Sequence, residues 1–304
     1  GSISEIQSLL DRNANINALN KYNDTPLHVA SWRGHHQCIE LLLDRNADIN
    51  ALNKYDDTPL HFASWEGHHQ CIKILLDRNA NINALNNNND TPLHLASLSR
   101  DRKCIKLLLD RNAYINALNK YNETALHVAS LSGHHQCIKL LLDRNANINT
   151  LNNNNDTALH FASLNGDRQC IELLLDRNAN INALNKYDNK PLHFASLKGR
   201  HQCIELLLDR NANISALNKY DNTPLHVASL RGHRQCVKLL LDRNANINAL
   251  NESRDTPLHH ASLNGDHQCI ELLLDRNANI NALNNNNDTP LHLASWKGRH
   301  QCIK

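Results

Sequence analysis

Along the chain, apolar and polar positions change rhythm in a fixed order, and that order recurs. From Thr25 the stretch "TPLHVAS" sets Leu27, Ala30 and Ser31 at three- and four-residue spacing, the period of one helix face. Thr25 supplies an N-cap acceptor, and Pro26 suits the first turn, where its missing N–H is not needed and its fixed φ is already helical. Gly34 then turns the chain. A second helix is predicted from about His35, with Cys38, Ile39, Leu41, Leu42 and Leu43 as a broad apolar face. It ends at "DRNA", where Asn46 can take the left-handed conformation of a helix C-cap. The segment "DINALNKYND" alternates at first and finishes in an Asn/Asp-rich tip, which predicts a hairpin or extended loop leading to the next threonine.

The next unit begins thirty-three residues on, where "DTPLHFASWEGHHQCIK" at 57–73 follows "DTPLHVASWRGHHQCIE" at 24–40 almost letter for letter. Apart from Gly1, every glycine falls in one slot of the period, and every proline in another. Two helices of this length cannot bury a core alone, so the units must stack and share one. The pattern T-P-L-H-x-A, the G-H turn, the L-L-L run and the 33-residue period resemble the ankyrin repeat. The resemblance covers essentially all of 1–304 and implies an all-α repeat protein, a solenoid of helix-turn-helix units with β-hairpin or loop fingers. A single domain is expected, with an N-terminal capping part-repeat at 1–19, repeats at 20–288 and an incomplete last repeat at 289–304. The chain stops at "QCIK" inside a second helix, which leads us to expect an array that continues past Lys304 and an uncovered apolar face open to end-to-end self-stacking. Gly1-Ser2 reads as a cloning scar.

Departures from the family pattern are informative. Asparagine stands after each second helix where ankyrin repeats usually have glycine, and Asn or Asp mostly stands before "TPLH"; both tolerate left-handed φ better than other side-chained residues. Arg100 replaces the interhelical glycine and Lys190 the capping threonine, each costing on the order of 1 kcal/mol, and Arg254 at a fingertip is a milder anomaly. With Ser215 and Thr150, they read as natural drift and not as a designed consensus.

Composition narrows the function classes. A formal charge of +2 and pI of about 8.1 suggest neither a polybasic nucleic-acid surface nor disorder, and no apolar run is long enough to cross a bilayer. No nucleic-acid or membrane partner is expected. The nine cysteines recur at the period of thirty-three. Equivalent residues on stacked helices lie about 8–10 Å apart, beyond the reach of a disulfide. Free thiols point to a reducing, intracellular and cytoplasmic setting.

Histidines and cysteines at this density raise the question of a site. His28 and its equivalents have no partner nucleophile in the pattern, and the resemblance implies a structural histidine bonding neighbouring backbone. His35 and Cys38 share a helix face, but Asp or Arg takes the histidine's slot in five other units, so zinc is not expected and cysteine reads as a small core residue. No catalytic residue, cofactor or metal is assigned, and the chain reads as a non-enzyme. The "LDRN" Asp and Arg ladders read as a solvated face in which each Arg is compensated by its adjacent Asp. Leu19 and its equivalents at the finger base are expected to pack between fingers and not to form an exposed ribbon.

What varies is surface. The resemblance implies that a partner protein is held by the fingertips and the concave ends of the first helices: Lys21, Tyr22, Asp24, Trp32 and Arg33 in the first unit, and Lys54, Tyr55, Asp57, Trp65 and Glu66 in the second. Aromatics beside charges make good anchors, which favours the N-terminal units; later units offer Lys198, Arg231, Trp296 and Lys297. "LLDRNADIN" around Asn50 is also similar to the segment that asparaginyl hydroxylases modify in ankyrin repeats. The function expected is a protein–protein interaction scaffold; the alternative is a mechanical spacer, tether or spring, since near-identical units diversify their contact positions little.

Overall fold

A computed structural model describes residues 3–296. Every regular element among the described residues is an α-helix. Contacts divide the chain into two units, 1–153 and 154–304. In the first unit the helices are α1 (Ile3–Asp11), α2 (Pro26–Trp32), α3 (His36–Asp44), α4 (Pro59–Trp65), α5 (His69–Asp77), α6 (Pro92–Leu98), α7 (Arg102–Asp110), α8 (Ala125–Ser132) and α9 (His135–Asp143). The even-numbered helices pack side by side in one layer, the odd-numbered in another, and each pair such as α2 and α3 packs face to face. In the second unit α10 (Ala158–Asn165), α12 (Pro191–Leu197), α14 (Pro224–Leu230), α16 (Pro257–Asn264) and α18 (Pro290–Trp296) form the first layer. The second layer is α11 (Arg168–Asp176), α13 (His201–Asp209), α15 (Arg234–Asp242) and α17 (His267–Asp275). The incomplete end of the last repeat, with Lys297 and Cys302, lies outside the described residues.

Each first helix starts as its sequence dictates. Thr58 Oγ1 accepts from His61 N at 3.4 Å, Pro59 occupies the first turn, and Leu60, Ala63 and Ser64 are buried. Each second helix ends in a Schellman arrangement: Asn46 N donates to Leu43 O (3.0 Å) and Ala47 N to Leu42 O (3.0 Å), with Asn46 at φ 63°. The apolar faces meet between the layers, where Leu27, Ile39, Leu60, Ile72 and Leu75 lose essentially all contact with water.

Of the two finger forms expected, the loop is the one found, and the expectation for the finger-base leucines is corrected. The fingers contain no strand among the described residues; each is a loop closed by a turn in which Asn53 Oδ1 accepts from Tyr55 N (2.8 Å) and Asp57 N (3.0 Å). One main-chain bond, Lys54 N to Tyr22 O at 2.9 Å, ties a finger to its neighbour, and side-chain amides do the rest of what a ladder would do. The same geometry turns the alternating segment inside out. Asn53 is 5% exposed while Leu52 is 54% exposed, and Leu19, Leu85 and Leu118 are also exposed, so the finger-base leucines form an apolar ribbon in water.

Candidate functional site

The residues that look reactive are taken up by the fold. His28 Nδ1 accepts from Thr25 N at 3.1 Å, while Nε2, which must carry the proton to face a carbonyl, donates to Asp57 O at 2.9 Å. His61 repeats this with Thr58 and Asp90, and in the second unit His193 and His226 donate to Asn222 O and Asp255 O. Burial holds these imidazoles neutral, pushing His61 and His193 down to about 4 and His226 to about 3. The eight described cysteines are buried free thiols, and burial raises Cys71, Cys137 and Cys203 to about 11. Among the described residues no three His, Cys, Asp or Glu side chains gather as metal ligands. The Asp and Arg ladders are compensated, but across repeats and not by the adjacent residue. Arg45 reaches Asp11 (2.9 Å), Arg111 reaches Asp77 (2.7 Å) and, in the second unit, Arg243 reaches Asp209 (2.7 Å). The C-cap turn swings each arginine back along the stack, away from its sequence neighbour.

Arg100 occupies its glycine slot at φ 62°. Its Nε donates to His134 Nε2 at 2.7 Å, and His134 Nδ1 in turn donates to Ser97 O at 3.0 Å. Elsewhere in the first unit the equivalent His68 instead uses Nε2 to reach Trp32 O (3.1 Å), so beside Arg100 the histidine of this slot bonds the preceding repeat through Nδ1.

In the first unit the predicted contact residues converge. A pocket of about 340 Å³ opens between α2, α4 and their fingers, lined by Tyr22, Val29, Trp32, Tyr55, Phe62 and Trp65. Its two acidic lining residues are Asp24 and Glu66. Trp32 is 42% and Trp65 52% exposed, so neither indole is spent on closing the core. Trp32 Nε1 donates to Glu66 Oε1 at 3.1 Å, which fixes one wall. Asp24 accepts from Asn20 Nδ2 (3.1 Å) and Asn53 Nδ2 (2.9 Å), which hold its carboxylate in place. Edge-on packing of His28 and Phe62, centroids 5.8 Å apart, links the pocket to the buried histidine row.

The other predicted positions sit elsewhere. Lys21 Nζ lies 4.8 Å over the Tyr22 ring, and the Arg33 guanidinium 4.2 Å over Trp32, both outside the pocket lining. Lys54 is at a fingertip; Asp57 turns inward, accepting from Asn86 Nδ2 at 2.9 Å. In the second unit Lys198 and Arg231 are the C-cap residues of α12 and α14, and Trp296 ends α18 at 76% exposure. Val29, Phe62 and Asn53 were missed as linings, because their slots read as core or turn and the 29/62 slot varies between Val, Phe, Leu and His, which is its one sequence signal. A second groove, about 590 Å³ between α1, α2 and α3 and lined by Ile6, Leu9, Leu10, Val29 and Leu42, was also not foreseen.

No helix among the described residues is long and apolar enough to cross a membrane. Family models for ankyrin repeats match residues 51–119, 115–185, 179–251 and 245–304 in runs of three copies, and 9–63 as many copies. A search of curated proteins found no match. Among solved structures, the crystal structure of the human ASB11 ankyrin repeat domain is similar at 31% identity and a TM-score of 0.65, over 70% of this chain and 96% of that one. With the period, the capping threonines, the buried histidine row and the stacked helix pairs already in view, these matches show that the chain belongs to the ankyrin repeat family.

Proposed function

We propose that the chain is a non-enzymatic protein-binding scaffold, intracellular, that seats a partner protein on the first-helix and fingertip side of its first two complete repeats. One observation carries this reading: the pocket sets two tryptophans side by side, Trp32 and Trp65, in a slot that holds Leu in the next six repeats and Trp again only at Trp296, with the acids Asp24 and Glu66 beside them. Lys21, Arg33 and Lys54 rim that surface, and Lys198, Arg231 and Trp296 are lesser contacts in the second unit. Half-exposed tryptophans that the core does not need are costly to leave in water and account for a large share of binding energy once covered.

The test is capture of a partner by the wild-type chain, by Trp32→Ala/Trp65→Ala and by a Leu197→Ala/Leu230→Ala control, with circular dichroism confirming the fold of each. Loss of on the order of tenfold or more in affinity is expected for the tryptophan pair alone. Equal capture by all three would favour the spacer reading, in which the repeats set distance and the variable slots carry no partner.

A further inference from the structure

The first two complete repeats differ at one slot in a way that assigns a ligand chemistry. In the first, tryptophan is followed by arginine, and the chain closes on itself: the Arg33 guanidinium stacks 4.2 Å from the Trp32 ring. In the second, tryptophan is followed by glutamate, so the same helix end presents the Trp65 ring beside the Glu66 carboxylate, with no cation over that ring among the described residues. Glu66 is held by the Trp32 Nε1–H, a donor that leaves its charge uncancelled, and Asp24 faces the same space held only by two asparagine amides. No lysine or arginine lines the cavity or pairs with either acid among the described residues, although Lys21, Arg33 and Lys54 are close by in sequence. In no other described repeat does a carboxylate follow an aromatic in these slots; the pairs run Leu98-Ser99, Leu131-Ser132, Leu164-Asn165, Leu197-Lys198, Leu230-Arg231 and Leu263-Asn264.

Resting on the scaffold reading above, we propose that the pocket between Trp32 and Trp65 receives an arginine side chain of the partner protein, its guanidinium stacked on the Trp65 indole and donating to Glu66 and Asp24. The first repeat shows the stacking part of this arrangement with an internal arginine; the second offers an indole beside a carboxylate to an external one. A guanidinium fits better than an ammonium because its plane covers an indole while its edge N–H groups reach carboxylates. The volume of about 340 Å³ takes one such side chain with its aliphatic stem against Val29 and Phe62.

The experiment is a titration of the full chain with N-acetyl-arginine methylamide, with the lysine and norleucine analogues as controls, followed through the tryptophan indole N–H resonances. The arginine probe should shift the Trp32 and Trp65 resonances saturably, with a dissociation constant on the order of 10 mM for one stacked, ion-paired group, and leave Trp296 unmoved. The lysine probe should bind more weakly and the norleucine probe not at all. Glu66→Gln should weaken the arginine probe about three- to tenfold. Glu66→Arg, at an exposed helix end, should reproduce the internal stack over Trp65 and abolish binding while the fold stays intact. The assignment is overturned if no saturable shift occurs up to about 100 mM, if the norleucine or lysine probe matches the arginine probe, or if Glu66→Arg binds as well as wild type. A partner lost on Trp32→Ala/Trp65→Ala but kept by Glu66→Arg would leave the scaffold standing and sink the arginine pocket alone.

Discussion

Asparagine recurs at fixed slots of the repeat, and the structure shows what several of them do. Asn46 and its equivalents hold the left-handed turn after a second helix; Asn53 and its equivalents close the finger from inside; Asn50 Oδ1 accepts from Asn81 N at 2.8 Å, and Asn83 Oδ1 from Tyr114 N at 2.9 Å, joining one repeat to the next. An enzyme acting on Asn50 would have to draw that amide out of this contact first. Asn53→Ala removes the acceptor of two amide N–H groups and one donor to Asp24, so we expect a loss of about 2 kcal/mol in urea unfolding. The buried histidines set the pH response. Their folded-state values lie below the ordinary 6.5, at about 4 for His61, His160 and His193 and about 3 for His226, so the unfolded chain binds protons that the folded one refuses. The histidine contribution is therefore complete above pH 6.5 and is lost as pH falls from there through about 4; a urea midpoint that held level across that window would contradict the neutral histidine row.

At the scale of the element, the helices were legible because each boundary has its own letter. Threonine and proline start the first helix, glycine or its one arginine substitute turns it, and "DRNA" ends the second. Lys190 shows the dependence from the other side: its ammonium has no lone pair to cap α12, and only the bond from Lys190 N to His193 Nδ1 (3.1 Å) remains. Lys190→Thr should stabilise by about 1 kcal/mol, read as a higher urea midpoint at unchanged slope. The fingers were less legible. Alternation in "INALN" says that neighbouring side chains face opposite ways, not which way, and the usual rule puts leucine inside. Here asparagine goes inside, because its amide satisfies turn backbone that leucine would leave unpaired. The pocket was half legible for a related reason: its rims stood out as variable aromatic and charged letters, while Val29 and Phe62 sit in helix slots that spacing alone assigns to the interior.

At the scale of the whole molecule, the cysteines test whether the packed layers open together. Burial pushes Cys236 and Cys269 up to about 12 and Cys71, Cys137 and Cys203 to about 11, so at pH near 8 these five thiols should stay silent to Ellman's reagent in the native chain. They should appear only with unfolding by urea. Rapid labelling of several would mean local opening that the layered packing does not allow for. The histidine-to-carbonyl and asparagine-to-backbone bonds have a further consequence, since they are the same at seam after seam. A newly made helix pair can mate with the wrong neighbour, skipping a unit or joining another nascent chain, and satisfy almost every donor it has. Proofreading then falls to the misfits: a lone Arg100 that needs His134 opposite acts as a key cut for one lock in a row of otherwise interchangeable ones.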